Sequence, residues 1–440
     1  MSAPPAPTNM TRVAFASFLG SAIEWYDFFI FGTAAALVFN RLFFPSSTPL
    51  SGTLLAFATF GVGFVARPIG GIIAGHLGDR IGRKQTLVIT LLLMGGATAL
   101  IGVLPTAASI GVLAPVLLVV LRLAQGLGVG GEWGGAALIC VEHAPAQRRG
   151  YYGSFPQLGV PAGLLLASGA FSLVTLLPEE DLLSWGWRLP FLSSIVLVAV
   201  GLFIRLSISE PEVFTKAREE QQGPVRLPIL QVLTESPRQV LLAAGIRFGD
   251  NVVYYVCGTF ALTYVATQLG LPRSVGLAGV LVASAVEMVT MPVFGALSDR
   301  YGRRPVVAGG ALLMVLSAFP FFWLLDSGNQ IAVVVAMVLT IALAHSALFT
   351  PLSAWFAEMF GTGVRYSGVS VGFQLGALVA GAPTPLLATA LIAWSGGAPW
   401  PVALMLVFAG VVTLVCTLIA AETHRAGIGE GDPVVAEQRA

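Results

Sequence analysis

Gly75-His-Leu-Gly-Asp79-Arg80-Ile-Gly82-Arg83-Lys84 and Gly295-Ala-Leu-Ser-Asp299-Arg300-Tyr-Gly-Arg303-Arg304 are one charged turn written twice, 220 positions apart in a chain of 440 residues. Both fit G-x-x-x-D-R-x-G-R-[K/R]. A second pair keeps the same interval: Glu142 precedes Arg149 by seven residues, and Glu358 precedes Arg365 by seven. The chain therefore reads as two related halves, each with the turn at the same place.

What surrounds the turns is apolar. Hydrophobic residues make up 56% of the chain and charged residues 10%, with a mean hydropathy of +0.85. A soluble domain carries about 25% charged residues, so this composition belongs in a lipid bilayer. A spanning helix needs about 20 mostly apolar residues. Twelve runs qualify: 13–39, 52–76, 86–104, 111–141, 151–177, 187–208, 239–266, 274–297, 305–325, 330–354, 366–393 and 399–421. Only helices or closed barrels satisfy backbone groups in lipid, and these runs have helix length. The expected fold is all-α: a six-helix bundle over 1–208, a linker over 209–238, and a second six-helix bundle with a short tail over 239–440. The first run carries Glu24 and Asp27 and is too long for a signal-peptide core, so it reads as a membrane helix that is kept.

Charge sets the orientation. If both termini share a side, seventeen of the 23 lysines and arginines fall there, against Arg41, Arg188 and Arg273 on the other. The positive-inside rule makes the rich side cytoplasmic in a cell membrane. A net charge of +1 gives no reason to expect nucleic acid as a partner. Cys140, Cys257 and Cys416 lie far apart in apolar runs and read as small buried hydrophobes.

Ionisable side chains in mid-membrane are costly, and each is a functional lead. Glu24 and Asp27 are three apart on one helix face. Two acids in a dry site do not both ionise easily, which suits a site that loads and unloads a proton. Glu132, on the fourth run among glycines, is a further candidate for proton coupling. Arg122, near mid-depth, can grip a carboxylate by two hydrogen bonds or hold the acids of the first helix. Arg247 and Asp250, three apart, can pair with each other or face a cavity, with Tyr254 and Tyr255 one turn on to offer hydroxyl or ring contacts to a ligand. Tyr26 and Gln157 complete the expected substrate-facing set. Glu287 shows no local partner in sequence, and His345 reads as a hydrogen-bonded core histidine. Gly126-Leu-Gly-Val-Gly130-Gly131 matches a dinucleotide fingerprint literally, but no strand precedes it. Gly126, Gly130 and Gly134 instead form a small-residue face for close helix contact.

In the turns, Gly75 and Gly82 permit tight backbone bends. Arg80, Arg83 and Lys84 bind the anionic leaflet, and Asp79 is placed to face a helix N-terminus of the other half. The second turn's Asp299, Arg300, Arg303 and Arg304, with Glu142, Arg149, Glu358 and Arg365, make up the rest of an expected conformational latch.

The turn, its repeat and the six-plus-six layout resemble the major facilitator superfamily. Gly20-Ser-Ala-Ile-Glu24-Trp-Tyr-Asp27-Phe-Phe29, Arg67-Pro-Ile-Gly-Gly71, Gly130-Gly-Glu132-Trp-Gly-Gly135, Trp187-Arg-Leu-Pro-Phe191 and Glu210-Pro-Glu-Val-Phe214 are similar to motifs of its metabolite:proton symporters. Arg122-Leu-Ala-Gln125-Gly126 resembles a fourth-helix motif linked there to proton coupling. The resemblance implies proton symport of a small organic acid or a zwitterion such as proline or betaine. It also implies two bundles rocking about a central site. It implies no cofactor beyond the coupling proton, and no partner beyond substrate and bilayer. A proton-coupled antiporter or exporter on the same fold is the alternative. Four scattered histidines and no HExxH argue against an embedded enzyme.

Overall fold

A computed structural model describes residues 10–45, 48–81, 83–130, 133–207, 232–234, 236–361 and 365–424. Gly82, Glu132 and most of the expected linker lie outside the described residues. So do the side chains of Asp79, Arg80, Arg83 and Lys84, and Gly75 is described in its backbone alone.

A helical segment stands on each of the twelve apolar runs. In the first half these are α1 (Met10–Leu37), α2 (Pro49–Ile81), α3 (Arg83–Val103), α4 in two pieces (Leu113–Val129 and Trp133–His143), α5 (Ala146–Val174) and α6 (Arg188–Ser207). The second half holds α7 (Pro237–Thr267), α8 (Arg273–Tyr301), α9 (Arg303–Asp326), α10 (Gln330–Met359), α11 (Arg365–Trp394) and α12 (Trp400–Ile419). Eight of these spans are single helices long and apolar enough to cross a membrane. No strand occurs among the described residues.

Within the first half α1 packs on α5, and α4 on α2 and α3. Within the second, α12 packs on α7 and α9, and α10 on α8. Between halves the broad contacts are α5 against α8 and α11 against α2. The counterpart of α5 in the second half is α11 and that of α8 in the first half is α2, so the interface repeats itself as a two-fold pairing of related bundles would.

Glycine sets the closest approaches. A Cβ at Gly130 would stand 1.9 Å from the Arg67 carbonyl oxygen, and one at Gly126 2.2 Å from that of Gly63. The α2–α4 contact is therefore backbone against backbone. Gly302, between α8 and α9, has φ 107°, a conformation that favours glycine. The turn is finished by Glu422, just past α12, whose carboxylate accepts from the backbone N–H groups of Arg303 (3.0 Å) and Arg304 (2.9 Å).

Three spans widen locally into π-helical turns: Val256–Phe260 in α7, Val338–His345 in α10 and Ala377–Gly381 in α11. Such turns gather at functional sites in proteins generally. Here two of them adjoin one cavity.

Candidate functional site

A small cavity lies between the halves. Trp25 of α1 and Val160 of α5 form its first-half wall. Arg247, Asp250, Asn251, Tyr254 and Tyr255 of α7, with His345 and Phe349 of α10, form the rest. Its free space holds about one water molecule. Gly381, in the wide turn of α11, leaves room for this wall: a Cβ there would meet Tyr255 at 2.8 Å and the Asn251 side-chain oxygen at 3.0 Å.

The wall is polar and unsatisfied. Arg247 Nη1 donates to Asp250 Oδ2 at 2.5 Å, with both side chains buried. The Arg247 guanidinium also lies 3.5 Å from the Phe373 ring centroid and 4.8 Å from that of Phe349. Tyr254 rests against His345 with centroids 4.2 Å apart. Trp25 Nε1, Arg247 Nε, Asp250 Oδ1 and the Tyr254 hydroxyl are buried with no hydrogen-bond partner among the described residues. Buried polar atoms are nearly always satisfied, so four open ones around a single cavity make it the candidate site for a polar ligand.

The first half contributes two buried cations. Arg122 lies 4.4, 4.3 and 4.9 Å from the ring centroids of Phe28, Phe31 and Phe60. Its Nη1 donates to Gln125 Oε1 at 3.0 Å, and its other nitrogens reach the Phe60 carbonyl at 3.4 Å. Gly63 lets it pass, since a Cβ there would come within 2.7 Å of its Nε. Arg67 sits 4.2 Å from Phe28 and 4.7 Å from Phe64, with Glu24 in its field. Neither arginine forms an ion pair with Asp27 among the described residues.

Asp27 is 1% exposed, and neither of its oxygens has a hydrogen-bond partner among the described residues. The neighbouring Thr98 hydroxyl is taken up by Gln125 Nε2, which donates to it at 2.7 Å, and by the Met94 carbonyl, to which it donates at 3.0 Å. A proton on Asp27 would remove the cost of burying a bare charge.

Of the expected substrate-facing residues, Arg247, Asp250 and Tyr254 line the cavity. Tyr26 turns away: its hydroxyl donates to the Pro190 carbonyl at 2.7 Å, bonding α1 to α6. Gln157 donates to the Phe349 carbonyl at 3.3 Å, across the halves. Arg122 stands in its aromatic box beside the first half's own helices. Tyr255, expected beside Tyr254, also lines it, whereas Trp25 and Asn251 are lining residues that the sequence did not single out for the cavity. His345 has Glu287 for a partner, although both looked solitary in sequence.

The charged-turn face is closed by the second turn. Asp299 accepts from the backbone N–H groups of Gly150 (2.7 Å) and Tyr151 (2.8 Å), at the start of the helical run opened by Arg149. An acid is favoured there because a helix N-terminus carries partial positive charge. Arg303 ties Asp299 (2.7 Å) to Glu358 (3.0 Å). Arg365 reaches Glu142 at 3.3 Å, and Arg149 lies in the field of Glu358. Glu142 of the first half thus pairs with Arg365 of the second, while Arg149 of the first lies only within the field of Glu358 of the second. Arg300 stacks on its own neighbour Tyr301, 5.3 Å from the centroid, and Arg304 donates to the Leu418 carbonyl. On the opposite face Thr263 donates to the Ala36 carbonyl at 3.3 Å, and Arg273 meets Glu179 at 3.5 Å.

Two related membrane bundles, in contact at both faces around a polar cavity, are the architecture of a membrane transporter. The chain belongs to the Major Facilitator Superfamily, whose family model matches residues 17–382 and 252–431. It is 43% identical to the "Shikimate transporter" of Escherichia coli over 94% of this chain and 95% of that one. It is 33% identical to the "Proline/betaine transporter" of Salmonella typhimurium over 98% and 87%. Among solved structures, the partially occluded inward-open xylose transporter XylE from E. coli superposes with a TM-score of 0.72 at 16% identity. That superposition covers 95% of this chain and 99% of XylE. These relatives are membrane transporters rather than enzymes.

Proposed function

We propose that the chain carries a small carboxylate-bearing metabolite into the cell together with protons, by rocking of its two halves about the central cavity. The observation that carries this reading is the set of four unpartnered polar atoms on Trp25, Arg247, Asp250 and Tyr254 around that cavity. A guanidinium, a hydroxyl and an indole N–H are donors, and a carboxylate is the ligand that uses donors best. Shikimate, proline and betaine, for which the relatives are named, each carry one. The charged-turn face is the cytoplasmic one, as the bias of lysine and arginine requires. Asp27 is the first-half group whose proton would travel with substrate.

The test is uptake into proteoliposomes of the full chain, with shikimate, proline and betaine as probes and an inward proton gradient as the only driving force. Accumulation of a probe that collapses with a protonophore supports symport. Accumulation only when the gradient is reversed would make the carrier an exchanger or exporter. No gradient-driven movement of any probe would remove the reading for this substrate class.

A further inference from the structure

Glu287 of α8 is fully enclosed, and its Oε1 lies 2.5 Å from Nδ1 of His345 in α10. The other ring nitrogen, Nε2, stands 3.9 Å from Asp250 Oδ2. That same oxygen holds Arg247. Three helices therefore place four ionisable groups in a row: Glu287, His345, Asp250, Arg247. The last three are on the cavity wall. The 3.9 Å gap is too long for a direct hydrogen bond, but the cavity admits about one water to bridge it. The other groups facing this row are Tyr254 and Tyr255 of α7 and, across the half interface, Arg67. The charged residues of α9, Arg303, Arg304 and Asp326, lie only at its ends.

We propose that an entering substrate carboxylate takes the place of Asp250 on Arg247, and that Asp250 then receives a proton handed along from Glu287 through His345. This rests on the carboxylate-symport reading above and deepens it. Asp250 occupies the place on Arg247 that a substrate carboxylate would fill. Once displaced it is a bare charge in a dry site, a costly state. It takes the proton of His345 Nε2, and His345 Nδ1 takes that of Glu287 Oε1. Two transfers move one unit of charge: the Nε2–H bond breaks as the Asp250 O–H forms, the Glu287 O–H breaks as the Nδ1–H forms, His345 ends neutral, and the negative charge rests on Glu287, which keeps its hydrogen bond to Nδ1. With the row unprotonated and empty, two carboxylates face one guanidinium. With proton and substrate both aboard, the net charge is the same. Proton alone or substrate alone changes it by one unit in either direction. The two forms that match are the ones able to cross the rocking step alike, and that match is the coupling between the two ligands. Asp27 touches no cation that a substrate could take over, so this linkage belongs to the second half.

The experiment compares wild type, Glu287→Gln and His345→Asn in the same proteoliposomes, with shikimate as probe. Folding is verified first by thermal unfolding in detergent. Both variants are expected to lose gradient-driven accumulation, and whatever exchange remains should no longer depend on pH. Wild-type-like accumulation by Glu287→Gln, in a preparation where wild type accumulates shikimate, overturns the relay and leaves symport standing. A second readout needs no substrate: infrared difference spectra of the empty protein between acid and alkaline pH. A protonated-carboxyl band titrating in step with imidazole signals, both lost in Glu287→Gln, is the expected result. Imidazole signals that Glu287→Gln leaves untouched overturn the shared proton. Failure of wild type to move any probe counts against the functional reading alone, and the spectra then decide the relay.

Discussion

Phe28 separates two buried guanidiniums, with Arg67 at 4.2 Å and Arg122 at 4.4 Å from its ring centroid. Desolvated cation–π contacts contribute on the order of 2 kcal/mol. Phe28→Leu is therefore expected to lower stability by roughly that amount, read as a lower unfolding midpoint in detergent. The charges were legible in the sequence because an arginine in an apolar helix is rare and expensive. The partners of Arg122 were not, since Phe28 and Phe60 come from α1 and α2 and nothing marks them out as its contacts among 27 phenylalanines. The same holds for Glu287 and His345, which are 58 positions apart and meet only because α8 packs on α10. Asp27 was legible by its depth and by Glu24 nearby. Asp27→Asn is expected to abolish proton-driven accumulation while leaving some substrate exchange. A mutant that still concentrates substrate would leave coupling to the second half alone.

At the scale of elements, the twelve apolar runs foretold the helices to within a few residues at most ends, because hydropathy and length report what lipid requires. The wide turns in α7, α10 and α11 were invisible, since one extra residue in a turn hardly disturbs an apolar pattern. They matter all the same: His345 closes the one in α10, and Tyr255 stands just before the one in α7. The small-residue face of α4 was legible, and the structure gives it a partner in α2. Gly130→Leu is expected to cost about 1–3 kcal/mol or more through overpacking, because its side chain would collide with the Arg67 backbone. Reduced yield and a lower melting temperature would show this, and an unchanged melting temperature would contradict the packing. Asp299 was foreseen as part of a latch, and the argument made for Asp79 at a helix N-terminus describes its surroundings. Asp299→Asn removes a charge worth about 0.3–1 kcal/mol at that terminus and one partner of Arg303. Spin labels on the adjoining ends of α5 and α8 should then report a larger open fraction on the charged-turn face.

Taken as a whole, the molecule is shut unequally. The charged-turn face is held by two amides on one carboxylate, by Ser353 donating to the Gly153 carbonyl at 2.8 Å, and by the Glu142–Arg365 pair across the halves. The opposite face has Thr263 on Ala36 and the exposed Arg273–Glu179 contact, and exposed pairs contribute little. The halves should therefore part more readily on that weaker face. The Glu179 carboxyl is held below its ordinary value, first by the Arg41 hydrogen bond and then by the fields of Arg41 and Arg273. A group depressed on folding stabilises the folded arrangement above its unfolded pKa, about 4.3 for glutamate. That contribution is lost as pH falls through the depressed value. The clasp should thus survive mild acid and loosen only below the usual carboxylate range. Cysteine labelling of this face across pH measures it, and Glu179→Gln should show the loosened pattern at neutral pH.

Glu422 belongs to neither α9 nor α12, yet it completes the first turn of one while continuing the backbone of the other. Thr423, next to it, donates to Glu358 at 2.7 Å. For anyone choosing where to cut the gene or join a fluorescent reporter, the safe boundary lies beyond His424. A fusion made at Ala421 would strip two amides of their acceptor and loosen the seam that the reporter was meant to watch.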